Sequence, residues 1–553
     1  MITAVLLFCL LGGCSSAHRN NSKSDNTTTV APPSSSSTTS TTGATPAAGT
    51  SITDVTYDKS VGNGVDASGF ASLPLRSGAK RFFVNSSSGS DGNSCSAAQS
   101  ASAPKATLAS ATACLTSGEG DQILIAQGTS YAAGLNNISG LGGYSPLYPT
   151  VIQSYDPADP TNEAKYGRAT GSSRPVLDTS GTVQQNFLMG GGTSGKFFAV
   201  RGLDFNPGAS AALAEIRILP NTYGTPDYIL FENNIFRYTM LNFDNQGSAG
   251  KVKAAKFIVR NNALYDQFGD HSQGMYIANV DGTTIEDNVF WSNGRLHNVS
   301  RDAPQSSGGS SIFNHPIYAQ DDTINTVVRR NVFIDTATDG GNLKGGGTYT
   351  QNLVIRCANA FAFGSGNDYS VDAPNGVVIE GSYNAAIGSN IVNSTSGAIG
   401  WGVHTNNGRQ GFSAVHHNVF ARNDQSNGYA LMADAAADVT YNKALPNYTD
   451  FHDNISYLWN RSGQSTAFTT NPLVHATVNN NLWDDPTSGT NINNGGHVFP
   501  NAYTETTLLN ALGYADETSF VNDLINNPEK HVQRQAVALM LGGYGVDISA
   551  MKW

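Results

Sequence analysis

At 553 residues the chain is long enough for several cores, yet only 13% of its residues are charged and 59 are glycine. With Asn, Ser and Thr frequent throughout, that composition suits many short strands joined by polar turns and argues against a set of helical domains. A net charge of −11 removes the electrostatic footing for nucleic acid, but a local basic patch can still hold an acidic polysaccharide.

Ala4 to Leu11 form a short apolar run, far below the roughly 18–20 residues of a spanning helix. Leu11-Gly12-Gly13-Cys14 follows and resembles the bacterial lipobox. The resemblance implies a lipoprotein signal peptide over 1–13 and a lipidated Cys14 at the start of the mature chain. An ordinary cleaved signal peptide would also mark an exported protein. Asn20 to about Ser51 is Ser, Thr, Ala and Pro with almost no large apolar residue. Such a segment buries too little surface to offset the entropy of ordering, so a disordered linker is placed over 14–75. The expectation is export and lipid anchoring to the outer membrane or cell surface. Cys14→Ala should then move the protein from the membrane pellet to the supernatant without altering its melting. A variant that still pellets in high salt would refute the anchor.

Structure is expected from Arg81. Arg81 to Val84 reads as a strand, and Leu108, Ala111 and Leu115 recur at helical spacing. Gly120-Asp121-Gln122-Ile123-Leu124-Ile125-Ala126-Gln127-Gly128-Thr129 returns to strand. Cys95 and Cys114 flank the helix and can pair in an oxidising compartment, whereas Cys357 reads as a buried thiol. The strand, helix and G-D-x-I-L-I-x-x-G-T order resembles the capped start of right-handed parallel β-helices of the pectate-lyase-like type. The resemblance implies that the helix covers the first coil, whose open edge would otherwise invite aggregation.

A repeat follows, ending each time in an Asn that mostly precedes an apolar strand: Asn234, Asn262, Asn288, Asn331, Asn352, Asn390, Asn418, Asn454 and Asn481. Asn tolerates the left-handed backbone of a sharp bend, and stacked Asn side chains can hydrogen-bond along the ladder. The spacings vary widely, as in a solenoid with loops inserted on a constant coil. The expected fold is all-β, a single right-handed parallel β-helix over 76–500 with an N-terminal helical cap. Thr504 to Leu512, Asp516 to Asn526 and Glu529 to Leu541 read as helices, giving a short helical C-terminal cap over 501–553.

The chemistry is expected between Gly269 and Cys357, where three segments read as successive turns of one coil. Aligning Met275, Ile317 and Leu343 as inward residues turns Tyr276, Tyr318 and Lys344 outward, with His271 and His315 just upstream. These five are the candidate catalytic residues. Arg217, outward on its strand, and Arg301, in the Ser292–Ser311 insertion expected to overhang the column, are candidate ligands for a substrate carboxylate. A lone outward Tyr is usually packing or sugar-stacking surface and a lone His usually a turn residue; the coincidence in adjacent coils favours a groove. Asp321-Asp322 resembles the Asp pair of polygalacturonases, but the other motifs of that family are absent. His416-His417 reads as turn structure. No H-E-x-x-H, C-x-x-C, G-x-S-x-G or phosphate-loop pattern is present, so no metal site is assigned.

The pectate-lyase-like resemblance implies a substrate lying along the first strand of each coil, beneath the loops that follow the third. That superfamily holds lyases, uronate epimerases, glycoside hydrolases, esterases and tailspikes, so fold alone does not choose. Asn342-Leu343-Lys344-Gly345-Gly346-Gly347 with Asn352 resembles the lysine-bearing coil of alginate lyases and chondroitinase B. That implies calcium as a candidate cofactor, although the glutamates and arginine-rich coil of that family have no clear counterpart in this chain. The C5 proton of a uronate is weakly acidic, so its carboxylate must be neutralised before a base removes the proton. Lys344 or His315 can be that base, and Tyr276 or Tyr318 can protonate the leaving O4 or act as base. The leading reading is a polysaccharide lyase on an acidic, uronate-containing polymer. The alternatives are a mannuronan-type C5-epimerase, a non-catalytic polysaccharide-binding or matrix protein, and a glycoside hydrolase, which needs two carboxylates across the groove.

Overall fold

The structure, a computed structural model, describes residues 55–132, 141–178, 196–208, 214–218, 227–244, 254–320, 322–364, 377–388, 400–406, 411–422, 430–434, 447–459, 468–470, 474–483, 499–549 and 551–553. Cys14, Asn390 and Asp321 lie outside these residues. Among the described residues the strands form three sheets of 14, 12 and 9 strands, in which each turn of the chain adds one strand beside its predecessor. All the strand pairs within them are parallel, as in Phe231↔Val259, Val259↔Ile285 and Ile285↔Val328. This is a parallel β-helix, the expected class.

A coil of this kind closes only if each turn buries an inward side chain from every face, because parallel strands need cover on both sides. The inward columns do so. Phe205 stacks on Phe236 at 5.1 Å, Phe290 on Phe333 at 4.7 Å and Tyr349 on Phe361 at 4.6 Å between ring centres. Tyr349 is fully buried, and its hydroxyl donates to the Gly340 carbonyl at 3.0 Å.

The polar ladder runs unbroken through Asn234, Asn262, Asn288, Asn331, Asn352, Asn384, Asn418, Asn454 and Asn481. Each Nδ2 donates to the next Asn Oδ1, and that oxygen also takes the preceding Asn backbone N–H, as Asn331 Oδ1 does from Asn288 at 2.9 Å. Two features differ from expectation. The rung assigned to Asn390 is Asn384. The left-handed residue is the one before each ladder Asn, including Asp287, Arg330, Tyr383, His417 and Asp453 at φ of 57°, 57°, 54°, 56° and 54°. The ladder Asn is therefore needed for its amide, which bonds up and down the stack. Asn331→Ala should cost about 1–3 kcal/mol by leaving buried donors unpaired, read as a lower denaturant midpoint at unchanged slope.

The helix Leu108–Thr112 has its first turn capped by Thr107, whose side chain accepts the Ser110 N–H. It packs Leu108 and Ala111 into the same core as Val84 and Ile123, at the first coil. Cys95 and Cys114 are disulfide-bonded. Cys357 is free and buried, and burial pushes its thiol up to about 12.

The linker boundary at 75 is corrected. Tyr57, Val61, Phe70, Ala71 and Leu73 are buried, and the Ala71 N–H donates to Glu232 while Arg201 donates to the Ala71 carbonyl. Residues 55–75 are thus an ordered arm laid along the 14-strand sheet. The C-terminal helices are Glu505–Ala511, Glu517–Asn526 and Val532–Gly543. Their apolar sides pack on Ile235, Val289, Ile334, Ile355, Ala385 and Ala421. They therefore cover the outer side of the 12-strand sheet from Ile235 to Ile455, a layer on the flank of the coil where an end cap was expected.

Candidate active site

The nine-strand sheet carries Arg217, Tyr276 and Tyr318 of the predicted residues, with His315 and Lys344 just outside its strands. Its register places Arg217, Asn242, Tyr276, Tyr318, Asn342, Ala362 and His404 in one outward column. Met275, Ile317 and Leu343 are fully buried on the inward side, as the alternation of a strand requires. Met275 pairs with Ile317 and Tyr276 with Tyr318, as expected. The Lys344 alignment needs correction by two residues: Leu343 pairs with Ala319, so Asn342 follows Tyr318 in the column. A slip of two keeps every side chain on its face. Lys344 accordingly still points outward, with Nζ 4.6 Å from the centre of the Tyr318 ring.

The rings of Tyr276 and Tyr318 stack with centres 6.0 Å apart, and His315 stacks on the other side of the pair, 4.9 Å from Tyr318. His315 is held by a partner that sequence reasoning missed. Its Nδ1 lies 3.0 Å from Asp339 Oδ2 and 3.0 Å from the Thr338 hydroxyl. The Asp339 side chain is only 3% exposed. Sequence gave no sign of this pair, because Asp339 belongs to the turn that enters the following coil. Gln320 Nε2 donates to the Tyr276 hydroxyl at 3.1 Å. Burial pushes the Tyr276 phenol up to about 12, against the lowering effect of Gln320.

His271 does not join this cluster. It aligns with Phe313, two positions before His315, stacking on that ring at 5.1 Å and bonding Asp270 at 2.8 Å. Its side chain is 67% exposed. Arg217 sits at the head of the column between Glu215 at 3.6 Å and Asp244 at 3.4 Å. Burial raises the Glu215 carboxyl, which Arg217 and Asn242 only partly offset. Arg301 is placed differently from its expectation. It is buried, donating to Asp335 at 2.6 Å and to the Thr336 and Arg356 carbonyls. Its role is to fasten the 292–311 insertion to the coil, so it is not carried forward as a substrate ligand. The other anchors of that insertion are also at bends, His297 on Asp266 and Arg295 on Asp335. The loop therefore packs along the corner leading into the nine-strand face.

Two buried amide oxygens in the column, Asn242 Oδ1 and Asn342 Oδ1, have no hydrogen-bond partner. Four rungs from Arg217 to Tyr318, at ~4.8 Å each, span about 14 Å, the scale of a short run of sugars. Calcium does not fit here. It takes roughly six to eight oxygens, whereas Glu215 and Asp244 face Arg217 and Asp339 faces His315.

The chain is thus a parallel β-helix protein with a column of aromatic, amide and cationic side chains on one face. No family model matches it, and no curated protein sequence does. Among solved structures it is similar to a GH136 lacto-N-biosidase from Eubacterium ramulus, with 10% identity over 73% of this chain and 67% of that one and a TM-score of 0.37. It is also similar to the pectate lyase Pel9A, with 14% identity, 80% and 90% coverage and a TM-score of 0.29. A rhamnogalacturonan lyase follows at 12% identity, 73% and 87% coverage and a TM-score of 0.25. At such values the site has to be read from its own residues.

Proposed function

We propose that the protein is a polysaccharide lyase that cleaves a uronate-containing polymer by β-elimination along the nine-strand face. The observation that carries this reading is the His315–Asp339 pair stacked against Tyr318, with the Lys344 ammonium on the same ring. Asp339 at Nδ1 fixes the imidazole tautomer and steadies the imidazolium, which leaves Nε2 to take the C5 proton. Lys344 supplies positive charge against the carboxylate of the reacting sugar and the enolate that develops from it, and Arg217, about 14 Å along the column, faces the carboxylate of another sugar of the polymer. As the C5–H electrons form the C4–C5 double bond, the C4–O4 bond breaks and O4 needs a proton. Tyr318 stacks directly on His315 at 4.9 Å, whereas Tyr276 lies beyond it by a further 6.0 Å, so the Tyr318 phenol is the group suited to give that proton. In this reading Lys344 is an electrostatic group and His315 the base.

A hydrolytic reading has one observation in its favour: Glu215, raised by burial, shares Arg217 with Asp244. An acid and a carboxylate facing a sugar are what an inverting or retaining hydrolase uses. The two readings separate in one assay, in which the protein is incubated with a panel of uronate polysaccharides. A lyase produces unsaturated ends that absorb in the ultraviolet. New reducing ends without that absorbance would replace the lyase by a hydrolase, and C5 inversion without cleavage would indicate an epimerase. Binding without any turnover would leave a polysaccharide-binding protein. Export and anchoring through Cys14 belong to the same proposal, since a surface tether suits a polymer substrate.

A further inference from the structure

Just before each ladder Asn the chain turns through a left-handed residue, so one side chain per coil projects at the same corner. In two successive coils those residues are His417 and Asp453, at φ of 56° and 54°. The strand residues before them, His416 and His452, pair across the sheet and stack with ring centres 4.8 Å apart and 7° between planes. Three imidazoles and a carboxylate therefore meet at one corner, away from the nine-strand face.

We infer that His417, His452 and Asp453 form a binding site for one divalent transition-metal ion of the Zn2+ type. One ligand atom from each residue can be chosen so that all lie within 4.8 Å of one another. Around a tetrahedral ion with bonds of about 2.0–2.1 Å, the donors sit about 3.3 Å apart, so small side-chain rotations close the site. The remaining nitrogens are already oriented. His417 Nδ1 is 2.8 Å from His416 Nδ1, and His452 Nδ1 is 2.8 Å from Asp453 Oδ2. His417 thus has its Nδ1 committed to His416, an outer partner that leaves Nε2 for a metal, whereas His452 meets Asp453, the third ligand, through Nδ1 and has Asp450 Oδ2 4.0 Å from its Nε2. Tyr383 stacks on the His417 ring at 4.8 Å and limits its rotation. Two imidazoles and a carboxylate suit Zn2+, Co2+, Ni2+ or Cu2+, whereas Ca2+ and Mg2+ favour all-oxygen sets. The fourth position falls to water, and the site would link two successive coils at the far end of the ladder.

The test uses the full chain, stripped with a chelator and titrated with Zn2+ in a calorimeter. One ion per chain is expected, with a rise in melting temperature, and Co2+ should give visible ligand-field bands. His417→Asn, which suits the left-handed bend, and His452→Gln should each weaken Zn2+ binding by at least about 100-fold. Equal Ca2+ should not compete. Asp453→Asn serves as a further variant if either His change lowers the melting temperature of the stripped protein. No saturable uptake, full uptake by the His417→Asn, His452→Gln double variant, or displacement by equal Ca2+ would each overturn the site.

Discussion

His315→Gln should lower turnover on a uronate polymer by about 10²–10⁴-fold, the scale for loss of a general base, while polymer binding persists. The imidazole touches Asp339, Thr338 and Tyr318, so the amide can keep the Asp339 bond but cannot take the C5 proton. Asp339→Asn should produce a smaller loss, also in kcat, because the wrong tautomer would then be favoured at the ring. Lys344→Ala should reduce kcat and raise KM together, since its charge faces the carboxylate both in the bound substrate and in the enolate. Folding should change little with Lys344→Ala, because a half-exposed lysine on an aromatic ring carries modest packing energy. If the protein only binds polysaccharide, none of these changes alters a turnover, and affinity falls mainly with Tyr276→Ala and Tyr318→Ala. A His315→Gln variant with full lyase activity would end the assignment of the base.

The parts of this site legible in sequence are those fixed by alternation within one strand. Met275-Tyr276 and Ile317-Tyr318 carry the same apolar and aromatic order, so their pairing follows from period two. Lys344 is assigned to the right face at the wrong height, because Gly340 and Gly341 precede Leu343 and supply no side chain to mark the strand start. Asp339 is invisible locally: its value to His315 arises from a turn of the coil that brings residues 24 apart together. The Asn repeat is legible as a ladder, but one rung is misassigned because Asn384 and Asn390 both precede small or apolar residues. The arm at 55–75 is missed because its buried residues, Tyr57, Val61, Phe70 and Leu73, are too sparse to show a period. For the C-terminal helices the apolar faces are evident, while the surface they cover is a property of the completed 12-strand sheet.

Asp287→Ala should destabilise the fold by about 3–5 kcal/mol, the range for removing one partner of a buried ion network. The side chain is fully buried and accepts from Arg330 at 3.2 Å, from Arg534 at 3.0 Å and from Gln533 at 3.1 Å. Arg534 also donates to the Tyr57 hydroxyl, and the Tyr57 ring lies 5.2–5.7 Å from the guanidinium carbons of Arg260, Arg330 and Arg534. One carboxylate thereby joins the N-terminal arm, the coil and the last helix. Burial alone would raise its carboxyl, but Arg330 and Arg534 outweigh that and hold it far below the usual carboxylate range. A carboxylate depressed in the folded state adds stability that is complete above its unfolded value, about 3.9, and is lost as pH falls below it. Stability should therefore drop between pH 5 and pH 3 in the wild-type protein. Asp287→Asn keeps the shape and tolerates the left-handed bend, but has no proton to take up there. Its denaturant midpoint should start lower at pH 5 and fall by less on acidification than that of the wild type. Asp58 and Asp66 are also depressed, whereas Asp204 and Glu215 are raised, and all four are common to both proteins, so the difference between the two acid slopes reports Asp287 together with His531, which burial lowers to about 4 and the Asp287 charge raises. Parallel slopes would show that its charge is not what holds the arm and the last helix to the coil.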